Sequence, residues 1–413
     1  MSQLSDYLGA LQRFGIRPGL ERIEALLAAA GNPEKLYPLV LVGGTNGKGS
    51  TCEFLARNLS GDSRVRGELA KTRRIGLYTS PHIYAWNERI RVLPGEGRFE
   101  GTISDHDLDG LFRDAQPIIS NVADNLGQPT EFEVITFLGL WHFARAGVDA
   151  AVIEVGLGGH WDATNVTEPV VSVVTHVALD HCDRLGNTVE EIAADKVHIA
   201  RSGRPFLTAE RRPSVIRVFQ NYCARIGAVY APVAVPRHNG DFQLINAATA
   251  RAAEKAFRAQ VGWEPALAKS ADQPSRPVPG RFEILERAPN LVIDGANNPD
   301  GANRLAALIR TEQAVPRERL ILVLGILEDK DYAGMTQILA PLARTVIATQ
   351  SNSPRAAPAE SVAKAASAAG AHVEIVRAVP EAVQRARQLA GPEDWILVTG
   401  SFTTIGEVPV NAH

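Results

Sequence analysis

The stretch Leu39-Val40-Leu41-Val42-Gly43-Gly44-Thr45-Asn46-Gly47-Lys48-Gly49-Ser50-Thr51 constrains this chain more than any other. An apolar, β-prone run feeds a glycine-rich turn, and Cys52-Glu53-Phe54-Leu55-Ala56-Arg57-Asn58-Leu59 follows with helical spacing. A strand, a glycine turn and a helix in that order build a phosphate cradle. Glycines let backbone N–H groups point inward, the helix N-terminus adds positive dipole, Lys48 supplies a point charge and a hydroxyl can ligate Mg²⁺. Gly49 separates Lys48 from Ser50, whereas the common P-loop places Ser or Thr directly after its lysine. A junction that only happened to be glycine-rich would leave the lysine without a reason.

With 413 residues the chain is too long for one average domain. Amphipathic helices are expected over Leu4 to Leu27, broken at Phe14-Gly15-Ile16-Arg17-Pro18-Gly19. Gly61 to Arg74 reads as a polar loop, and strands follow at Ile75 to Ser80, Ala150 to Val155 and Val170 to Val177. Helices are expected near Leu108 to Ile119, Val134 to Ala146, Pro213 to Ile226 and Gln243 to Ala259. After a proline-rich run, Lys269 to Pro279, a second α/β segment offers strands at Leu291 to Asp294, Leu320 to Ile326, Thr345 to Thr349, His372 to Val376 and Trp395 to Thr399. This alternation predicts an α/β chain: a P-loop parallel-sheet ATPase domain over residues 1–287, and a smaller Rossmann-like α/β domain over 288–413, with ligands at the carboxyl edge of the sheet.

The apolar fraction of 45% and charged fraction of 22% are those of a soluble globular chain. A net charge of −3 gives no broad electrostatic reason to bind nucleic acid or membrane, and no charged leader precedes an apolar block, so a cytoplasmic location is expected. Cys52, Cys182 and Cys223 suit a reducing compartment, form no zinc pattern and read as buried or idle thiols.

Further polar groups sit at predicted strand ends. Glu154 before Gly156-Leu157-Gly158-Gly159, with a hydroxyl from Ser50 or Ser80, makes an oxygen set suited to Mg²⁺ beside bound phosphates. The bland reading of Glu154 is a loop-capping carboxylate, and that of Ser80 a turn residue before Pro81. His181 follows an apolar strand, and a functional role is favoured over a satisfied loop histidine. Lys196 taken alone reads as a solvated helix lysine.

Several blocks together resemble a known family: Phe14-Gly15-Ile16 with Gly19-Leu20-Glu21-Arg22-Ile23, Gly44 to Ser50, Tyr78-Thr79-Ser80-Pro81-His82, Asn87-Glu88-Arg89-Ile90, Glu154 to Gly159, Asp162-Ala163-Thr164-Asn165, Leu179-Asp180-His181, Pro279-Gly280-Arg281 and Asp294-Gly295-Ala296. In this order they are similar to the folylpolyglutamate synthase and dihydrofolate synthase family of the Mur ligase superfamily, over nearly the whole chain. The resemblance implies an ATP-dependent ligase that joins a folate or dihydropteroate carboxylate to L-glutamate and releases ADP and phosphate. Gly44, Thr45, Asn46, Gly47, Lys48, Gly49, Ser50 and Thr51 would hold ATP together with Asn246, Arg281, Asp294 and Asn297. Ser50, Ser80, Glu154, His181 and Lys196 would serve the Mg²⁺ ions, Lys196 as a carbamate, and Lys48, Glu154, His181 and Lys196 would carry the catalysis. Pro18, Gly19, Leu20, Thr130, Glu131, Phe132, Glu133, Trp161, Asp162 and Ala163 would line the acid pocket. The second domain would close over ATP and glutamate, and a monomer is expected.

Two departures separate this chain from the family pattern. His160-Trp161 replaces Arg-Leu before Asp162, which puts a larger aromatic at a substrate position, and Asn297 replaces a histidine, which keeps hydrogen bonding but loses the capacity for charge. They leave open an amide ligase of specialised metabolism with another acid or amine. An inactive nucleotide-binding module is the third reading, against which Lys48, Glu154, His181 and Lys196 stand together.

Overall fold

The structure is a computed structural model, and it describes residues 3–11, 15, 17–61, 72–235, 242–264, 277–311 and 313–409. Most of the loop expected over Gly61 to Arg74, residues 269–276 of the proline-rich run, and Phe14 and Ile16 of the first family block lie outside the described residues. The chain divides into two compact units, one of Met1–Pro236 with Gln243–Pro274 and the other of Arg237–Phe242 with Ser275–His413.

The first unit carries seven strands: β1 (Leu39–Gly43), β2 (Ile75–Tyr78), β3 (Ile90–Leu93), β4 (Ala150–Glu154), β5 (Val171–Val174), β6 (Pro205–Thr208) and β7 (Val229–Pro232). They lie side by side in the order β3-β2-β4-β1-β5-β6-β7, and every neighbouring pair is parallel except β2 with β3. β1, β4 and β5 are buried along their whole length, as their unbroken Val/Ile/Leu/Ala runs require of strands covered on both faces. β4 and β5 flank β1, with Val42 beside Glu154 and Gly43 beside Val174. Because these strands and β2 run the same way, the glycine loop after β1, Thr79-Ser80 after β2, Gly156 after β4 and Thr175 after β5 emerge at one edge. Ligands of open α/β sheets are held at that edge.

Helices Glu21–Ala29, Asp105–Leu126 and Glu131–Ala146 pack with the sheet in one apolar core that includes Leu26, Phe112, Phe137 and Phe143. The Phe143 ring lies so close to Gly76 of β2 that a Cβ there would meet it at 2.7 Å. No helix among the described residues is long and apolar enough to cross a membrane.

The second unit has six strands: β8 (Glu283–Glu286), β9 (Asn290–Asp294), β10 (Leu320–Leu324), β11 (Thr345–Gln350), β12 (Val373–Ala378) and β13 (Trp395–Thr399). Their order is β12-β11-β10-β13-β9-β8, parallel apart from the β8–β9 pair, around a separate core that includes Leu322, Met335, Val346 and Val362.

Three short strands, β3, β7 and β8, were absent from the sequence expectation, and β6 was legible only as a fainter continuation of the pattern over Pro205 to Thr208. β7 and β8 lie at sheet edges with no fully buried residue, so they lack the apolar signal by which strands are recognised. β5 ends at Val174 and not at Val177, because Thr175 turns its hydroxyl back onto the loop after β1. Cys52 and Cys223 are buried thiols as expected, whereas Cys182 is partly exposed.

Candidate active site

Four successive carbonyl oxygens, from Gly43 at the end of β1 to Asn46 in the loop, accept hydrogen bonds from the protein. Gly43 O receives Thr175 N at 3.0 Å and Thr175 Oγ1 at 3.2 Å. Gly44 O receives Lys196 Nζ at 3.1 Å, Thr45 O receives Lys48 Nζ at 3.2 Å and Asn46 O receives Thr175 Oγ1 at 2.8 Å. These bonds turn the carbonyls toward protein donors rather than toward an anion approaching the loop, as a phosphate cradle requires. Thr45 is fixed from its other side: its amide donates to His176 O, and its hydroxyl accepts the Ala178 amide at 3.0 Å.

Two glycines make this path feasible. Gly44 has φ 137°, and a Cβ there would collide with Thr175 Oγ1. Gly47, at φ 93°, precedes the helix Lys48–Ser60 in the left-handed region, and a Cβ there would stand 2.5 Å from Asn246 Oδ1. Asn246, from helix Phe242–Val261, is thus placed against the loop as expected of a nucleotide contact, and its Nδ2 donates to Gln243 Oε1 at 3.1 Å. Ser50 and Thr51 are buried in the first turn of the loop's helix.

Glu154, at the end of β4, lies below this turn. Its Oε2 accepts the Ser80 amide at 3.0 Å and would lie 3.4 Å from a Cβ on Gly49. Gly49 thus brings the helix start to ordinary contact distance from this carboxylate. The buried Cys52 thiol is pushed well up, first by desolvation and then by the Glu154 charge.

Lys196 closes the loop from behind. It ends helix Val189–Lys196, is only 3% exposed and is held near pKa 7, down from 10.5, chiefly by desolvation and then by the charge of Lys48. Asp195, Asp180 and Asp162 pull the other way. The solvated lysine suggested by its isolated sequence context is replaced by a buried amine whose charged form is disfavoured by desolvation. Asp195, its neighbour, turns a carboxylate against Gly158, where any Cβ would collide with it.

His181 takes φ 52° at the start of helix Cys182–Leu185, with Nε2 3.7 Å from Asp180 Oδ1. Among the described residues no cluster of three or more His, Cys, Asp and Glu side chains could by itself hold a metal. The chemistry of Glu154, His181 and the Ser50 and Ser80 hydroxyls is that of partial Mg²⁺ ligands, which would leave the rest of the shell to phosphate oxygens and water.

The residues expected to line an acid pocket fall into two groups. Thr130 caps helix Glu131–Ala146 in a reciprocal box with Glu133, and Glu133 is paired with Arg22 at 3.1 Å. Arg22 also donates to Arg17 O at 3.0 Å, which holds the turn containing Pro18, Gly19 and Leu20. Phe132 underlies Gly156, where a Cβ would collide with its ring, while Glu131 faces Arg89 at 3.6 Å. Asp162 Oδ2 accepts the Leu157 amide at 2.8 Å and Oδ1 that of Thr164 at 3.0 Å, and desolvation raises its pKa. Ala163 is buried, but Trp161 is 55% exposed, beside His160 with centroids 4.3 Å apart.

In the second unit, Asp294 ends β9 and accepts the amides of Phe282 and Ala296, each at 2.8 Å. Its pKa is raised by burial against the opposing charge of Arg281, whose guanidinium lies 4.8 Å from the Phe402 ring centroid. Asn297 is partly buried, two residues before helix Pro299–Thr311.

Sequence reasoning missed Thr175 and Arg22 as positioning groups. Thr175 left one trace, a hydroxyl at the end of an apolar strand.

Residues 280–402 match the family model described as Mur ligase, glutamate ligase domain. The chain is 34% identical to a probable bifunctional folylpolyglutamate synthase/dihydropteroate synthase of Haloferax volcanii, over 97% of this chain and 49% of that protein. It thus spans about half the length of that curated relative. It is 30% identical to the dihydrofolate synthase/folylpolyglutamate synthase of Bacillus subtilis, over 96% of this chain and 95% of that one. The E. coli FolC structure in complex with DHPP and ADP superposes with TM-score 0.80 at 30% identity, covering 98% of this chain and 96% of that one. A bifunctional folylpolyglutamate synthase/dihydrofolate synthase with Mn, AMPPNP and L-glutamate bound gives TM-score 0.79 at 27% identity, over 98% and 97% of the two chains.

Proposed function

The chain belongs to the dihydrofolate synthase/folylpolyglutamate synthase family, and from that premise we propose that it joins L-glutamate to a folate or dihydropteroate carboxylate at the expense of ATP. A carboxylate is a poor electrophile, so it must be activated first. A carboxylate oxygen attacks the γ-phosphorus of ATP, the bond from that phosphorus to the β-bridging oxygen breaks, and ADP leaves. The lone pair of the glutamate amine then attacks the acyl carbon, the C–O bond to phosphate breaks, and the amine gives up a proton.

The observation that carries this reading is the loop itself: four carbonyls turned into the protein, Lys48 at its centre and Glu154 lodged under Gly49. Such a site binds phosphates and stabilises charge on a transferring phosphoryl group, so most of the catalysis is positioning and electrostatics. Ser50, Ser80, Glu154 and His181 would hold Mg²⁺, which when bound neutralises phosphate charge. Lys196 would carry a carbamate: its neutral amine attacks the carbon of CO₂, loses a proton and becomes an anion. Burial and a pKa near 7 support that chemistry, because a good fraction of the amine is uncharged at neutral pH.

Arg281, Asp294 and Asn297 are assigned to the nucleotide. The acid is assigned to the Pro18-Gly19-Leu20 turn, Thr130 to Glu133, and Trp161 to Ala163. The exposed Trp161 favours a second reading, an altered acid substrate on the same ligase. ADP release with dihydropteroate, tetrahydrofolate or no acid, each with glutamate, tests the proposal. Folate-dependent turnover with a product one glutamyl residue heavier is expected; no response to either acid would remove the folate assignment.

A further inference from the structure

The reaction above gives no role to His82 or Arg89, although each stands in one of the family-like sequence blocks. Arg89 Nε donates to His82 Nδ1 at 3.0 Å. A guanidinium does not give up its proton in a protein, so Nδ1 must accept, and the ring's own proton must sit on Nε2. Nε2 has no hydrogen-bond partner among the described residues, so the half-buried ring carries an N–H that the protein leaves unused.

The surroundings hold the ring in that state. The Trp86 ring lies edge-on to His82 at 4.5 Å between centroids, and the Arg89 guanidinium lies 4.4 Å over the Trp86 ring. Arg89 is itself positioned by Glu131 at 3.6 Å and by its carbonyl, which accepts the Thr79 amide at 3.1 Å. Glu88 takes the amides of Ile83, Tyr84 and Ala85 at 2.7, 2.8 and 2.8 Å and so fixes the segment after His82. The ring stands two residues beyond Ser80, whose amide is bound to Glu154 under the phosphate loop.

We propose that His82 is a preorganised neutral hydrogen-bond donor, locked as its Nε2–H tautomer by Arg89, that contacts an anionic oxygen of a substrate: the carboxylate of the acid or the terminal phosphate of ATP. A fixed donor at the carboxyl edge of the sheet binds such an oxygen without the cost of orienting a free side chain. Arg89 is a positioning residue, because it acts only through the ring. The assignment of the oxygen rests on the ligase reading, whereas the tautomer does not.

Selective ¹⁵N-histidine labelling reads the ring directly. The wild-type spectrum should show a protonated Nε2 and an unprotonated Nδ1 for His82, and Arg89→Gln should relax that preference. A protonated Nδ1 in the wild type would overturn the proposal. In steady-state kinetics, His82→Leu with an unchanged Tm should lose about tenfold to a hundredfold in kcat/KM toward one of the two substrates. His82→Gln, which keeps an N–H at the same reach, should recover most of it. A loss toward the acid assigns the carboxylate, a loss toward ATP assigns the phosphate, and no loss toward either sinks the idea. Should the wild type turn over no folate acid, the ligase reading fails on its own. Movement of the His82 signals on adding dihydropteroate or ATP would then still support contact, and signals that move with neither would refute it.

Discussion

Lys196 Nζ donates to the carbonyl oxygen of Gly44 at 3.1 Å, across 152 residues of sequence. The bond joins the end of a helix that reads as solvent-facing to the phosphate loop that organises the sheet. It places a titratable amine in a dry position directly behind the loop.

That position fixes the sign of a pH effect. Lys196 is held near 7 when folded and at 10.5 when exposed, so between those values the unfolded chain binds more protons and stability rises with pH. Below pH 7 the cost of burying an ammonium is fully present. In CO₂-free buffer, the Tm of the wild type measured against Lys196→Met is expected to climb from about pH 7 to about pH 10. A difference that stays flat over that range would show that the amine is not desolvated. With ¹³C-labelled bicarbonate, a carbamate carbon signal should appear in the wild type and be missing in Lys196→Met.

Lys48→Ala removes the point charge from the cradle and leaves its backbone intact. Loss of one preorganised group at a site of developing charge is worth about 3 kcal/mol, a drop of order a hundredfold in kcat for ADP release. Wild-type rates in this variant would separate Lys48 from the chemistry.

Gly47→Ala should weaken nucleotide binding measured by calorimetry, and destabilise the fold by about 1–3 kcal/mol, because φ 93° is costly for any Cβ. The new methyl group would also press on Asn246, 2.5 Å away. Adding Asn246→Ala relieves that clash but not the backbone strain, so the double variant should recover only part of the loss. Full recovery would place the whole cost in the contact.

The buried pair Arg22–Glu133 ties the first helical segment to the helix capped by Thr130. Arg22→Ala strands a carboxylate and should cost about 3–5 kcal/mol in urea unfolding. Arg22→Leu combined with Glu133→Gln keeps the cap without a buried charge and should be markedly more stable than Arg22→Ala. Equal losses would mean the pair matters only for packing.

Trp161→Leu restores the side chain of the family pattern at an exposed position. It should change KM for the acid severalfold and leave KM for ATP unaltered. A shift confined to ATP would move Trp161 out of the acid site.

Much of this was legible in the residues. The glycine loop, its strand and its helix declare themselves locally, since positive φ and dipole alignment are demands on consecutive residues. Central strands such as β1, β4 and β13 were readable as unbroken apolar runs, whereas the edge strands β7 and β8 were not, because a half-exposed strand of four residues has no such pattern. Glu154 could be picked out as a polar group closing an apolar strand, and His181 as one following another. Thr175 could not, because its value lies in two carbonyls more than a hundred residues away.

The sequence by itself determined the local chemistry: a cradle for phosphate, carboxylates and hydroxyls at strand ends, and an ordered set of blocks similar to one family. Only the tertiary structure decided which groups lose their water. Lys196 becomes a buried amine, and His82 becomes a single tautomer. The physical reason is that desolvation and the direction of a hydrogen bond depend on neighbours supplied by other strands and helices, and no spacing along the chain encodes them.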